Sequence, residues 1–326
     1  MSRLTSYIPA DYLGLIGVLS GLIVLFSFSS EHFLSVLTFT TLANQIPTLT
    51  VIAVGMTFVL IIAGIDLSVG SVMALSGAVL GAALLDANIS LWLAAVACLG
   101  VGFFCGLING LIITRWAIPS FIVTLGMLEI ARGCAYLTTA SQTKYIGSSV
   151  ETISVPLPGL GLSPAFFGCV TIVIAAQLIL SKTIFGRYMI AIGSNEEAVH
   201  LSGINVKFWK TAVFALAGLM AGLGGLFHVG YLQSADPNAG IGLELSAIAA
   251  VVIGGTSLAG GKGSVISTFM GVLIIAILQT GLAQIGVSEP SKRVITGLVI
   301  IIAVILDVYR NQNNGIGNFL KHILRR

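Results

Sequence analysis

The feature that most constrains this chain is a succession of apolar runs, each close to the length needed to cross a bilayer. A membrane-spanning helix requires about 20 consecutive apolar residues, and most of the runs contain no Asp, Glu, Lys or Arg. We predict ten spans, at residues 12–29, 43–64, 68–85, 90–113, 118–139, 163–181, 211–231, 245–258, 264–286 and 294–309.

The scarcity of charge supports the same conclusion. Charged side chains make up 8% of the chain, against about 25% in a soluble domain. Such a composition cannot cover a water-facing surface, which excludes soluble enzymes, disordered proteins and nucleic-acid-binding domains. The runs are continuous rather than alternating, so the spans are helices and not barrel strands. The sequence predicts an all-α integral membrane protein with one transmembrane domain over residues 1–326.

The distribution of Lys and Arg predicts the orientation. With the N-terminus in the cytoplasm, eleven cations fall in cytoplasmic loops and three in outer loops, while Arg132 lies within a span. Cytoplasmic loops are enriched in Lys and Arg, so this bias predicts about ten helices with both termini cytoplasmic. The inner cations are Arg3, Arg115, Lys182, Arg187, Lys207, Lys210, Lys262, Arg310, Lys321, Arg325 and Arg326; the outer ones are Lys144, Lys292 and Arg293.

Two parts of this topology stay open, so nine to eleven helices are possible. The boundary between the second and third spans is a short polar link, and segment 245–258 is short for a crossing, which favours a tilted, broken or re-entrant segment. The longest polar stretches, 140–162 and 182–210, are too short to bury a core of their own. The glycines before Lys262 lack the order of a phosphate-binding P-loop. Any energy source must therefore lie outside this chain.

A polar interruption separates the second and third spans. Gly64, Asp66, Ser68 and Gly70 lie between two apolar runs, and a carboxylate there is costly unless it is paired or hydrated. Two interpretations remain open and are compatible. Asp66 and Ser68 either mark a hinge beside a translocation path, or cap the next helix at the cytoplasmic face, where a helix N-terminus attracts an anion. The residues alone favour the cap.

Glu129 and Arg132 are the charges within the fifth span. Their spacing of three places them on one helix face, where they can pair, and pairing would lower the cost of both charges in the membrane. The pair either lines the path or joins neighbouring helices, and the residues alone favour the second interpretation.

The inner loop of about 182–210 contains a short helix with clear end signals. Asn195 is a suitable N-cap, Glu196 and Glu197 occupy the first turn, and Gly203 follows the apolar residues as a C-terminal stop. Ala198 and Leu201 supply part of its apolar side. The helix is either a docking surface or an ordinary capped connector, and the residues alone favour the connector.

Four motifs in collinear order, from about residue 45 to 310, resemble one known family. They are Val54–Thr57 with Gly64–Ser71; Pro119–Gly126 with Arg132 and Gly133; Gly193–Ala198 with Leu201–Ile204; and Ala249–Gly263. The chain is similar to the permeases of bacterial ABC importers for ribose, xylose and arabinose, and within them it looks nearest to the D-ribose and D-allose permeases.

The resemblance implies a multi-pass subunit of the bacterial inner membrane that works with a second copy of itself among the membrane lipids. It would accept a monosaccharide from a periplasmic binding protein, and a separate ATP-binding-cassette ATPase would drive import. Residues 195–203 then correspond to the helix that couples to the ATPase. Gly64, Asp66, Ser68 and Gly70 are candidates for the path. No cofactor, metal or nucleic acid is expected.

Two other classes of membrane protein fit the sequence less well. A secondary transporter driven by an ion gradient would need paired acids or a sodium cage within the membrane, and only Asp66 and Glu129 are available. A membrane-embedded enzyme would need a nucleophile–base or metal cluster, and the sequence shows no such His, Asp and Cys grouping. The chain is therefore expected not to be an enzyme.

Overall fold

The structure, a computed structural model, describes residues 10–299, 301–302 and 304–305. Regular structure in this part of the chain is almost entirely helical. The helices are α1 (Ala10–Ser29), α2 (Val36–Ile61), α3 (Val69–Leu85), α4 (Leu91–Trp116), α5 (Ser120–Thr139), α6 (Glu151–Ser154), α7 (Pro164–Lys182), α8 (Ile184–Ser194), α9 (Glu196–Leu201), α10 (Val206–Leu232), α11 (Leu243–Ile253), α12 (Val265–Gln284) and α13 (289–299). Strands β1 (Lys144–Tyr145) and β2 (Ser234–Ala235) pair antiparallel.

Within the described residues, seven helices are long and apolar enough to cross a membrane, namely α1, α2, α4, α5, α7, α10 and α12. The all-α membrane class is thereby confirmed. Helices α3 and α11 are apolar but shorter, with 17 and 11 residues. The predicted span 294–309 lies partly outside the described residues. The count of ten helices and the cytoplasmic termini therefore stay predictions.

Capping residues explain where two long helices begin earlier than the apolar runs. Helix α2 begins seven residues before the predicted 43, because Ser35 Oγ accepts a hydrogen bond from the Thr38 backbone N–H at 3.2 Å. Helix α10 begins five residues before the predicted 211, because Asn205 Oδ1 accepts from the Phe208 N–H at 3.1 Å. These side chains satisfy N–H groups that a helix end leaves unpaired.

Helix α10 lies at the centre of the bundle and packs most closely against α4, with further contacts to α2 and α3. The two helices meet through glycines. A Cβ atom on Gly106 would lie 2.2 Å from the Phe214 carbonyl oxygen, and one on Gly218 would lie 2.2 Å from the Gly102 oxygen. Small residues at four-residue spacing thus bring the two backbones into contact, as in other membrane helix pairs.

The length of α10 defines two ends of the bundle. It follows α9 directly and leads directly into β2, and its 27 residues extend about 40 Å at 1.5 Å per residue. We call the two ends the α9 end and the strand end. The predicted orientation places the α9 end in the cytoplasm.

Helix α3 begins inside the bundle rather than at its end. The residue before it, Ser68, accepts a hydrogen bond from Asn109 Nδ2 through its Oγ at 3.1 Å. Asn109 lies about 10 Å along α4 from Trp116, the last residue of that helix. Residues 62–68 therefore lead the chain from the end of α2 to a level well inside the bundle.

Residues 234–242, which we call the re-entrant segment, enter the bundle from the strand end and run along α3. A Cβ on Gly81 would lie 2.9 Å from the Ala235 Cβ, and one on Gly70 would lie 2.4 Å from the Gly240 oxygen. The stretch of α3 from Gly81 to Gly70 measures about 16 Å. Gly240 and Gly242, with φ of 72° and 83°, supply left-handed turns that favour glycine.

Helix α11 then leads from this level to the α9 end, where Gly254 packs against the Ser267 backbone near the start of α12. The first turns of α3 and α11 meet inside the bundle, and the two helices lead away to opposite ends. The predicted span 245–258 is therefore a short helix that completes a crossing begun by the re-entrant segment. The order of inner and outer loops along the chain is unaffected.

Candidate functional site

Helix α9 forms as the sequence predicts. Asn195 Oδ1 accepts from the Ala198 N–H at 2.9 Å, and Glu196 and Glu197 occupy the first turn, where the helix dipole favours negative charge. The helix ends at Leu201, and Gly203 beyond it has φ of 83°. A glycine in this conformation is the usual end of a helix.

One side of α9 is anchored and the other is open. Val199 is buried against α8 and α10, and Glu196 Oε2 accepts a hydrogen bond from Lys210 Nζ at 2.9 Å. Glu197 is exposed, and the Leu201 side chain is 79% exposed. An acid and a large apolar side chain therefore face outward from a helix whose position the bundle fixes.

The elbow between α8 and α9 rests on a tight contact that we call the glycine junction, formed by Ile61, Gly193, Gly260 and Gly261. A Cβ on Gly193 would lie 1.8 Å from the Ile61 oxygen and 2.5 Å from the Gly261 nitrogen. The Gly261 N–H donates to the Ile61 oxygen at 2.8 Å. Helix α9 is thereby joined to the end of α2 and to the loop between α11 and α12.

Aromatic rings hold α8 against the bundle beside this junction. The Phe185 ring lies 6.2 Å from the Phe58 ring and 5.6 Å from the Trp209 ring, and Tyr188 lies 5.2 Å from Trp209, measured between centroids. Such tilted and edge-to-face contacts are each worth about 1 kcal/mol beyond the buried area. These contacts therefore hold α8, which precedes α9, against α2 and α10.

The polar interruption before α3 forms a buried network. Asp66 Oδ1 accepts from the Ser68 N–H at 2.9 Å and from Ser68 Oγ at 2.6 Å. All three polar side chains, Asp66, Ser68 and Asn109, are buried. Asp66 thus holds the turn that leads into α3 through Ser68, the residue before the helix, but no side chain caps a helical N–H. The turn lies inside the bundle rather than at the cytoplasmic face that the capping interpretation predicted.

Helix α5 satisfies the backbone of the same link. Ser120 Oγ accepts from the Ile65 N–H at 2.9 Å, and Thr124 Oγ1 accepts from the Leu67 N–H at 3.1 Å. Backbone N–H groups inside a membrane domain must find partners of this kind. The link is therefore held by side chains of α4 and α5 together.

Arg132 does not form the predicted direct pair with Glu129. Its Nη1 donates instead to the Pro237 oxygen and, at 2.8 Å, to the Ala239 oxygen. Glu129 is exposed on α5 and interacts with the guanidinium only by electrostatic attraction, without a hydrogen bond. The spacing rule failed because the carbonyls of the re-entrant segment offer better-placed acceptors. Arg132 fixes that segment to α5.

The re-entrant segment brings further polar groups to the same place. Tyr136 Oη donates to Asn238 Oδ1 at 2.7 Å, and the Asn238 N–H donates to Asp236 Oδ1 at 2.8 Å. The Glu244 carboxylate lies beside Gly70, at the tip of the segment. Asp236, Asn238 and Glu244 were not among the predicted site residues because the predicted spans place 232–244 in an outer loop; Pro237 beside Gly240 and Gly242 was the available signal.

A bundle of apolar helices, some of which begin inside it, is typical of membrane transport proteins. Residues 38–304 match the family model described as "Branched-chain amino acid transport system / permease component". The chain belongs to this family, and it is a multi-pass protein of the bacterial inner membrane.

Curated relatives are similar over most of their length. The chain is 38% identical to the ribose import permease protein RbsC of Escherichia coli (strain K12) and 40% identical to that of Bacillus subtilis (strain 168), in each case over 88% of this chain and about nine-tenths of the relative. It is 36% identical to the L-arabinose ABC transporter permease protein AraH of Azospirillum brasilense, over 80% and 77% of the two chains. The family resemblance of the sequence motifs is confirmed.

Proposed function

We propose that this chain is the membrane subunit of an ATP-driven importer for a monosaccharide of the D-ribose or D-allose type. The observation that carries the proposal is its similarity to import permeases for ribose and arabinose over most of the chain. A separate ATPase supplies the energy, and a periplasmic binding protein delivers the sugar at the strand end.

The exposed side of α9 is the proposed contact with the ATPase. Glu197 and Leu201 offer a charged and an apolar group outside the membrane, and an anchored amphipathic helix suits a groove on a partner. The predicted orientation, with both termini cytoplasmic, places this side where an ATPase lies. In a pair of subunits, two such helices face two ATPases.

The glycine junction is the proposed route of the mechanical coupling. When ATP draws the two ATPases together, they displace the α9 helices, and the junction passes the displacement to α2 and to the loop that follows α11. Because backbone touches backbone there, no side chain can absorb the movement. The homodimer then alternates between inward-open and outward-open states.

Reconstitution tests this proposal. Vesicles that contain the chain, the ATPase and the binding protein are expected to transport a neutral monosaccharide only when ATP is present on the side of the membrane where the ATPase is bound. Vesicles that lack the ATPase are given a proton or sodium gradient as the matched control. Uptake driven by the gradient alone would support the ion-coupled alternative and contradict the importer.

A further inference from the structure

The re-entrant segment places open backbone and charged side chains at membrane depth. Its tip, Gly240, lies beside Gly70 in the first turn of α3, and Asn238 and Ile241 are exposed on the monomer. Irregular backbone and charge at this depth cannot face hydrocarbon, and are tolerated only where they line water or meet protein. This face of α5 and the re-entrant segment therefore borders water or protein rather than lipid.

The charges around the tip are unbalanced. The carboxylates of Glu129, Asp236 and Glu244 all act on the single guanidinium of Arg132. Three acids against one base leave an excess of negative charge, which repels an anion such as a phosphorylated sugar. Hydroxyl groups, in contrast, donate strong hydrogen bonds to carboxylates.

Several acceptors near the start of α3 have no hydrogen-bond partner in the part of the chain that the structure describes. Among the described residues, neither Glu129 nor Glu244 makes a hydrogen bond, while Arg132, Tyr136 and Asp236 are occupied in holding the segment. Independently, the Oδ1 atom of Asn109 is fully buried without a partner in the network that starts α3. A buried acceptor without a protein partner is usually satisfied by an ordered water.

We propose that the meeting point of α3, α5 and α11 is a binding site for the hydroxyl groups of an uncharged monosaccharide in transit. Glu129, Glu244 and Asn238 contact the sugar, and Arg132 and Tyr136 are positioning residues that keep the re-entrant segment in place. The inference rests on the proposed function, and it adds the site and the preference for a neutral substrate.

Cysteine labelling tests the site directly. The Asn238→Cys variant, made in a Cys134→Ser background because Cys134 is exposed, is expected to react with a water-soluble maleimide. The probe sugar is whichever of D-ribose, D-allose, L-arabinose and D-fructose the unaltered complex imports. That sugar is expected to slow labelling at least fivefold, and D-ribose 5-phosphate is expected to have no effect.

The matched control for labelling is Ile174→Cys, an exposed position on α7, about two turns before Lys182, the only charged residue of that helix. It is expected to react slowly and without response to sugar, as for a position that faces lipid. If Asn238→Cys is as unreactive as this control, or if the transported sugar leaves its labelling rate unchanged, the site does not exist.

Transport measurements separate this inference from the proposed function. Glu129→Gln and Glu244→Gln are each expected to lower ATP-driven uptake at least tenfold while the ATPase still co-purifies, whereas Glu151→Gln, an exposed acid elsewhere, stays within twofold of the unaltered chain. Normal uptake by both glutamine variants contradicts the site alone. Absence of uptake of all four sugars by the unaltered complex contradicts the proposed function and the site together.

Discussion

Asp66 is a carboxylate that the fold retains in a buried place, 1% exposed, where an unpaired charge would be costly. Its two hydrogen bonds from Ser68 fix the turn that leads into α3, and Asn109 ties that turn to α4. An amide at position 66 could accept the same bonds but not carry the charge. The two interpretations of this residue can therefore be separated by one substitution.

We expect Asp66→Asn to lower transport about tenfold while the amount of protein in the membrane stays within twofold. The amide keeps the turn, so folding loses only the charge-assisted part of two hydrogen bonds, about 1–2 kcal/mol. Uptake is compared with membrane-fraction immunoblots. Equal losses of transport and of protein would show that Asp66 serves only to hold this turn.

Gly193 and Gly203 form a matched pair of glycines on either side of α9. A methyl group on Gly193 would meet the backbone of Ile61 and Gly261, whereas nothing lies within 4 Å of a Cβ on Gly203, whose only difficulty is its φ of 83°. We expect Gly193→Ala to destabilise the protein by about 3 kcal/mol and Gly203→Ala by about 1 kcal/mol. Thermal unfolding in detergent measures both, and equal shifts would contradict the tightness of the junction.

At the scale of elements, α9 is a six-residue helix that exists because of its caps and its anchors, since an isolated helix of this length is unstable. Its ends could be read from the sequence, because Asn195 and Gly203 act locally. Its function could not, because a connector and a docking helix have the same caps. The exposure of Leu201 beside the anchored Val199 is the observation that supports the proposed docking role.

We expect Glu197→Lys combined with Gly203→Trp to abolish association with the ATPase. The first change reverses the charge of the open side, and the second adds a bulky ring where the helix ends. Co-purification of the ATPase is measured, with Gly203→Ala as the control for strain at the helix end. A normal yield of ATPase with the double variant would contradict the docking site.

The starts of α3 and α11 inside the bundle could not be predicted from the sequence. Long helices such as α4 and α7 were predicted to within a few residues, because a continuous apolar run is a local signal. The contact of Gly70 with Gly240 joins parts far apart in the chain, so it has no local signature. For the same reason Asn109, Asn238 and Glu244 were not among the predicted site residues.

At the scale of the whole molecule, α10 relates the two ends of the bundle and thereby makes the orientation testable. The predicted orientation places Ser148 outside and Glu197 inside. In a Cys134→Ser background, we expect Ser148→Cys to react with an impermeant maleimide in intact spheroplasts, and Glu197→Cys to react only after permeabilisation. The reverse pattern would invert the orientation and remove α9 from the ATPase side.

The re-entrant segment and α11 also have a consequence for biogenesis. Insertion into a bilayer recognises about 20 apolar residues at a time, and this stretch offers an 11-residue helix preceded by Asp236, Pro237 and Asn238. We expect this stretch not to insert into lipid by itself but to fold against α3 and α5, where Arg132 hydrogen-bonds to its carbonyl groups. This polar stretch is therefore expected to reach its final position later than these two neighbours.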